Sequence, residues 1–191
     1  MQAQGTGGMA STFGNLFAWT RDRRQPRAAA ELPADDLLPV HYRPRLVAEL
    51  LVDGATARSL MRALLDACRS RDEDMQIARL RNFADCFHRT TLLKGVQFYP
   101  YLNWALGRDT GTMIHFRSVQ ADVQRHALGI EAILTEYLGA PWNHGSRRHF
   151  VADVARAVSA LSQLLRQEES TLFPLYLPPG QYRHIAVNAS A

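Results

Sequence analysis

The sequence predicts an all-α fold, an up-down-up-down antiparallel four-helix bundle, and three observations lead there. Apolar residues recur at helical spacing in four successive stretches. Short breaks rich in Gly, Pro, Asp and Asn separate those stretches. No segment sustains the period-2 alternation of a half-buried strand. Long amphipathic helices joined by short loops pack against one another as antiparallel neighbours.

The first helix is expected over about residues 43–70, with Leu46, Leu50, Ala57, Leu60, Met61, Leu64 and Cys68 on its apolar stripe. Arg69 to Asp74 forms a charged turn. The second helix, about 74–106, carries Ile77, Leu80, Phe83, Phe87, Phe98, Tyr101 and Leu102. Gly107 to Gly111 breaks it, with Asp109 and Thr110 as capping residues for the next. The third helix, about 110–138, carries Val119, Val123, His126, Ile130, Ile133 and Tyr137. Gly139, Pro141 and Asn143 end it, and Ser146 is placed to cap a fourth helix over about 147–174, with Phe150, Val154, Ala157, Leu161, Leu164, Leu165 and Leu172. Pro174, Pro178, Pro179 and Gly180 stop that helix.

The 191 residues are 47% apolar and 21% charged, the composition of one globular domain with a core of its own. Residues 1–41 read as a basic tail, 42–177 as the bundle and 178–191 as a C-terminal tail. Within residues 1–30 Arg21, Arg23, Arg24 and Arg27 outweigh Asp22, whereas residues 31–191 are nearly neutral. A neutral body lacks the clustered cations of a nucleic-acid-binding surface. Phe13, Leu16, Phe17 and Trp19 form a short amphipathic segment suited to dock on the bundle itself, on a protein partner or on an anionic membrane surface. Cys68 and Cys86 sit in helical patterns without metal-ligand spacing, so no disulfide scaffold or zinc site is expected. With no apolar run of membrane-spanning length and no secretory leader, a cytoplasmic setting is expected.

Function in a helical bundle is built from polar residues on the inner stripes. Thr90 and Lys94 continue the stripe of Phe83 and Phe87 on the second helix, and Glu168 continues that of Leu161 and Leu164 on the fourth. Asp53-Gly54 interrupts the first stripe and His126 is the polar member of the third. Counting from the turns brings Gly54, Thr90, Lys94, Val123, Leu164 and Glu168 into one central layer. Lys94 is the only lysine among 22 basic residues. A buried ammonium requires a partner: if Glu168 faces Lys94, the two form a core ion pair, and the alternative is that Lys94 reaches solvent along its alkyl stem.

Residues Leu92-Leu93-Lys94-Gly95-Val96-Gln97-Phe98-Tyr99-Pro100-Tyr101-Leu102 resemble the end of the second helix in hemerythrin-like (HHE cation-binding) proteins, where a His, a Glu four residues on and then a YP or FP dipeptide follow one another. Glu168-Glu169-Ser170-Thr171-Leu172-Phe173-Pro174 repeats that signature, and Tyr42-Arg43-Pro44 through Asp53-Gly54 looks like the family's first helix. The resemblance spans about residues 42–177 and implies a bundle holding non-haem iron. The family's ligand positions then fall on Gly54, Thr90, Lys94, Val123, Leu164 and Glu168, of which only Glu168 keeps a ligating side chain.

The expectation is therefore a non-catalytic hemerythrin-like protein without catalytic residues or cofactor, acting as a regulator or adaptor by binding another protein. Phe13, Phe17 and Trp19, with the aromatic segment Phe98, Tyr99, Tyr101 and Trp104, are its candidate contact residues, with core packing the favoured reading of Phe98 and Tyr101. An iron-binding oxygen or redox sensor or carrier is the alternative, with His88, His115, His126 and Glu168 as its remaining donors. A second similarity, to bacterial anti-sigma regulators, rests on Glu168-Glu169 and the spacing of Phe83 to Tyr99. Nucleophile elbows, phosphate loops and paired-carboxylate motifs are missing, which argues against a conventional enzyme.

Overall fold

A computed structural model describes residues 41–70, 72–107, 109–142 and 144–182. The segment Phe13 to Trp19, the N-terminal arginines and residues 183–191 lie outside the described residues. Every regular element described is helical: α1 Leu46–Ala67, α2 Glu73–Leu93, α3 Tyr99–Leu106, α4 Thr110–Leu138 and α5 His144–Gln167. A π-helical turn, Lys94–Phe98, joins α2 to α3. A second, Glu168–Leu172, extends α5 into the 3-10 turn Phe173–Leu175. Four long helical stretches result. The first packs on α2 and α5, and α4 packs on α5 and α2.

Local chemistry explains the boundaries. The Asp72 carboxylate accepts the Met75 N–H at 3.0 Å, and Asp109 accepts the Thr112 N–H at 3.2 Å, so each satisfies a backbone donor that the first helical turn leaves open. The Thr112 hydroxyl and backbone bonds also hold the Asp109 carboxyl below its ordinary range. At the opposite end of α1 the buried Gln76 amide donates to the Ala67 and Ser70 carbonyls. Gly139 ends α4 where a Cβ would lie 2.5 Å from the Thr135 carbonyl oxygen, a contact no side chain tolerates. Because α5 begins at His144, Ser146 lies within its first turn and not at the capping position expected for it.

The core is one cluster drawn from all four stretches. On α4 it follows Met113, Phe116, Gln120, Val123, Ala127, Ile130, Leu134 and Tyr137, alternating spacings of three and four. The buried polar residue of this stripe is Gln120. His126, expected there, stands one position off and is only half-buried, because Ala127 takes the inward site. Tyr182, read from sequence as part of a tail, packs against the core. Tyr182 donates to the Leu175 carbonyl and accepts the Leu177 N–H, while Tyr101 donates to the Leu177 carbonyl. Tyr42 closes the same end, its ring 5.6 Å from Tyr101 and 5.2 Å from Tyr176.

Candidate functional site

The six residues that sequence spacing assigns to one layer are all buried: Gly54, Thr90, Lys94, Val123, Leu164 and Glu168. Within that layer Lys94 Nζ donates to Glu168 Oε2 at 2.6 Å, and the two side chains retain 9% and 1% of their exposure. The Tyr99 hydroxyl donates to the other carboxylate oxygen, Oε1, at 3.2 Å. Glu168 is thus held on both oxygens by groups from the α2–α3 stretch. Burial, then the Glu168 charge and the hydrogen bond to it, push the Tyr99 phenol well above its ordinary range. It remains a proton donor at any physiological pH.

The π turns are what make this geometry. Pro100 and Pro174 lack an N–H, and in an uninterrupted α-helix each ring would crowd the carbonyl four residues back. In both places the chain widens just before the proline. The Tyr99 N–H reaches back five residues to the Lys94 carbonyl, and the Phe173 N–H reaches back five to Glu168. In a regular α-helix, five residues at 3.6 per turn would set Tyr99 about 140° around from Lys94. The wide turn instead brings Tyr99 closer to the face of Lys94, and its hydroxyl meets the same carboxylate. The two halves share one plan: Lys94 opens one π segment and Glu168 opens the other, with an aromatic-proline pair after each. Phe98 meets Phe173 edge-to-face at 5.4 Å and stacks on Tyr176 at 5.5 Å, which seals the pair from that end.

Around the pair the ionic groups are also matched. The Asp53 carboxylate takes Arg89 at 3.2 Å and lies 3.3 Å from the Thr90 hydroxyl. That hydroxyl has one proton to give and lies closer, 2.9 Å, to the Cys86 carbonyl. Arg58 pairs with Glu169 at 2.6 Å. At Gly54 a Cβ would sit 3.2 Å from a Leu165 methyl, so α1 and α5 approach closely there. Desolvation pushes the free Cys86 thiol upward, which disfavours the reactive thiolate.

This donor set does not suit a metal ion. One carboxylate lies in the layer, and an ammonium occupies one side of it. Among the described residues no three of His, Cys, Asp or Glu gather closely enough to hold a cation. The structure does not assemble the donors named for the iron-binding alternative. His88 bonds Glu131 at 2.8 Å, His115 is exposed, His126 is half-buried and Glu168 is held by Lys94 and Tyr99.

In the aromatic segment Phe98 and Tyr101 are buried in the core, as their stripe positions predict; Tyr99 is buried as well, and Trp104 is 59% exposed. Sequence reasoning missed Tyr99 as a member of the polar layer, because regular α geometry points it elsewhere. It also missed the second buried acid, Asp153, which accepts from the Tyr137 hydroxyl and pairs with Arg156. The proline-terminated repeat could have signalled the first; a tyrosine on the α4 stripe facing the early fourth helix could have signalled the second. No protein-family model, no curated protein and no solved structure matches this chain. No helix is long and apolar enough to cross a membrane among the described residues.

Proposed function

We propose that this chain is a hemerythrin-like up-down-up-down bundle whose metal site has been replaced by an internal ion pair, and that it works without catalysis, as a regulator or adaptor that binds another protein. The observation that carries the reading is the Lys94–Glu168 contact at 2.6 Å in a buried layer. Lys94 stands where the resembled family keeps a ligating glutamate, and its ammonium supplies the positive charge that the surviving carboxylate needs. The proline-terminated π turns at both members support the resemblance, since they fall on the two YP/FP signatures. Gly54 and Leu164 fill two further ligand positions with groups that cannot ligate. What is left for function is surface, and exposed Trp104 is a contact residue of the expected kind.

Elemental analysis and a visible absorption spectrum of the purified full chain test the metal half of this reading. The expected result is no stoichiometric iron, manganese, copper or zinc and no visible band. Stoichiometric iron would overturn it. The adaptor half is tested by capture on immobilised full chain: a specific partner is expected whose retention falls on Trp104→Ala. Enzymatic turnover by the metal-free chain would sink the non-catalytic reading.

A further inference from the structure

Two further amides are buried beside the ion pair's helices, one on α4 and one at the end of α5. Gln120, on α4, is 92% buried by its 8% residual exposure, yet its Nε2 has no hydrogen-bond partner among the described residues. Gln167, beside Glu168, has a buried Oε1 in the same condition. Residue counts from two contacts between neighbouring helices set the heights of the two. Tyr137 packs its ring 4.9 Å from Phe150, and Gln120 lies seventeen residues before Tyr137 while Gln167 lies seventeen after Phe150. His88 bonds Glu131, and Tyr99 lies eleven residues after His88 while Gln120 lies eleven before Glu131. The α4 and α5 hairpin, and the short connection from α3 into α4, make these counts run in opposite directions along neighbouring helices. Gln120 is therefore level with both Tyr99 and Gln167, at the height of the ion pair.

One buried donor and one buried acceptor at one level, not bonded to each other, form half of a ligand site. The chemistry selects the ligand. Lys94 and Glu168 cancel in charge, so an ion has nothing to balance it. The core is packed, so the guest must be small. It must also accept from one amide and donate to the other. Since amide oxygen and nitrogen can exchange places by a flip, a guest able to do both serves either arrangement. We infer that the layer holds a single internal water, which accepts from Gln120, donates to Gln167 and takes a further partner from the Glu168–Tyr99–Lys94 cluster. Three partners are the usual complement of a buried water. Such a water would join α4 to the two π-bearing stretches through one polar layer.

Oxygen-17 magnetic relaxation dispersion on the full chain, which counts long-lived internal waters, tests this directly. Gln120→Leu is expected to lose one such water and to unfold a few degrees lower. Gln167→Met should lose the same one, and the double variant should lose no second. This readout is independent of metal content, so it fails separately from the functional reading above. A wild-type chain without a long-lived water, or variants that keep the full count, would overturn the inference. So would a raised Tm in Gln120→Leu with no change in count, the mark of an amide buried unpaired. Should Gln120→Leu not fold, Gln167→Met, at the less buried position, carries the same two outcomes.

Discussion

Two buried acids in this molecule have the same kinds of partner and opposite surroundings. Glu168 receives a tyrosine hydroxyl from Tyr99 and a lysine ammonium. Asp153 receives a tyrosine hydroxyl from Tyr137 and an arginine guanidinium from Arg156. Arg156 lies three residues along the same helix, with 73% of its side chain in solvent. Lys94 comes from a different helical stretch, 74 positions away in the chain, and is buried. The fold could meet the needs of Asp153 with a local, solvated cation. At Glu168 it positioned a cation across the core and widened two helices to do so. A surface pair of the first kind is worth little, whereas a buried pair is expensive to break even when it adds little net stability.

The largest expected effect follows from that contrast. Lys94→Met leaves the Glu168 charge without its counterion in the core and should cost about 3–5 kcal/mol, read as a loss of denaturation midpoint at unchanged m-value. The double variant Lys94→Met/Glu168→Leu removes both charges and should recover most of the loss, since apolar replacements of buried pairs are often neutral or better. If the single substitution leaves stability unchanged, Lys94 is not buried and paired in solution, and the comparison collapses.

Next come the tyrosines. Tyr137→Phe takes from Asp153 its buried hydrogen-bond partner among the described residues and should cost about 1.5–3 kcal/mol, the range for hydrogen bonds to charged groups. Tyr99→Phe should cost less, roughly 1 kcal/mol, because Lys94 still holds Glu168. Equal costs would mean that the ammonium does not share the carboxylate as drawn. Both phenols are raised above the ordinary value of 10.0, chiefly by burial and then by their acid partners. A raised folded-state value means that stability is complete below pH 10 and falls as pH climbs past it, since the unfolded chain releases these protons first. Wild type should therefore lose stability between pH 10 and 11 more steeply than either Phe variant, measured by denaturant unfolding at each pH.

How much of this was legible in the sequence depends on regularity. The four helical stretches could be read because Leu46 to Leu64, Phe83 to Thr90 and Val123 to Tyr137 keep the α period, and the polar layer because Lys94 and Glu168 sit on those stripes. The π turns were not legible from periodicity. They insert one residue against the α count, which hid Tyr99, and only Pro100 and Pro174 mark them. The α4 stripe was misread at His126 for a related reason: His126 and Ala127 are adjacent, the apolar count tolerates either, and the three-four alternation through Gln120 and Val123 decides for Ala127. Asp153 was hidden because an acid one place before Val154 on an amphipathic helix ordinarily faces water, and only the tertiary position of Tyr137 makes its burial tolerable.

The smallest effect is the most discriminating. Arg156→Met removes a cation from the second acid as Lys94→Met does from the first, yet it should cost no more than about 1 kcal/mol. The guanidinium is solvated on most of its surface, so its attraction is screened, and holding its long side chain in place costs entropy that offsets part of the gain. Asp153 keeps the Tyr137 proton after the substitution, and the space vacated by the guanidinium admits water to the carboxylate edge. Glu168 has no such route, with Phe98, Phe173 and Tyr176 closing its end of the molecule. Added salt separates the two further: it should weaken the small Arg156 contribution and leave the Lys94 loss almost untouched. Were Arg156→Met to cost as much as Lys94→Met, burial of the cation would not be what distinguishes the two acids, and the special standing of the Lys94 layer would go with it.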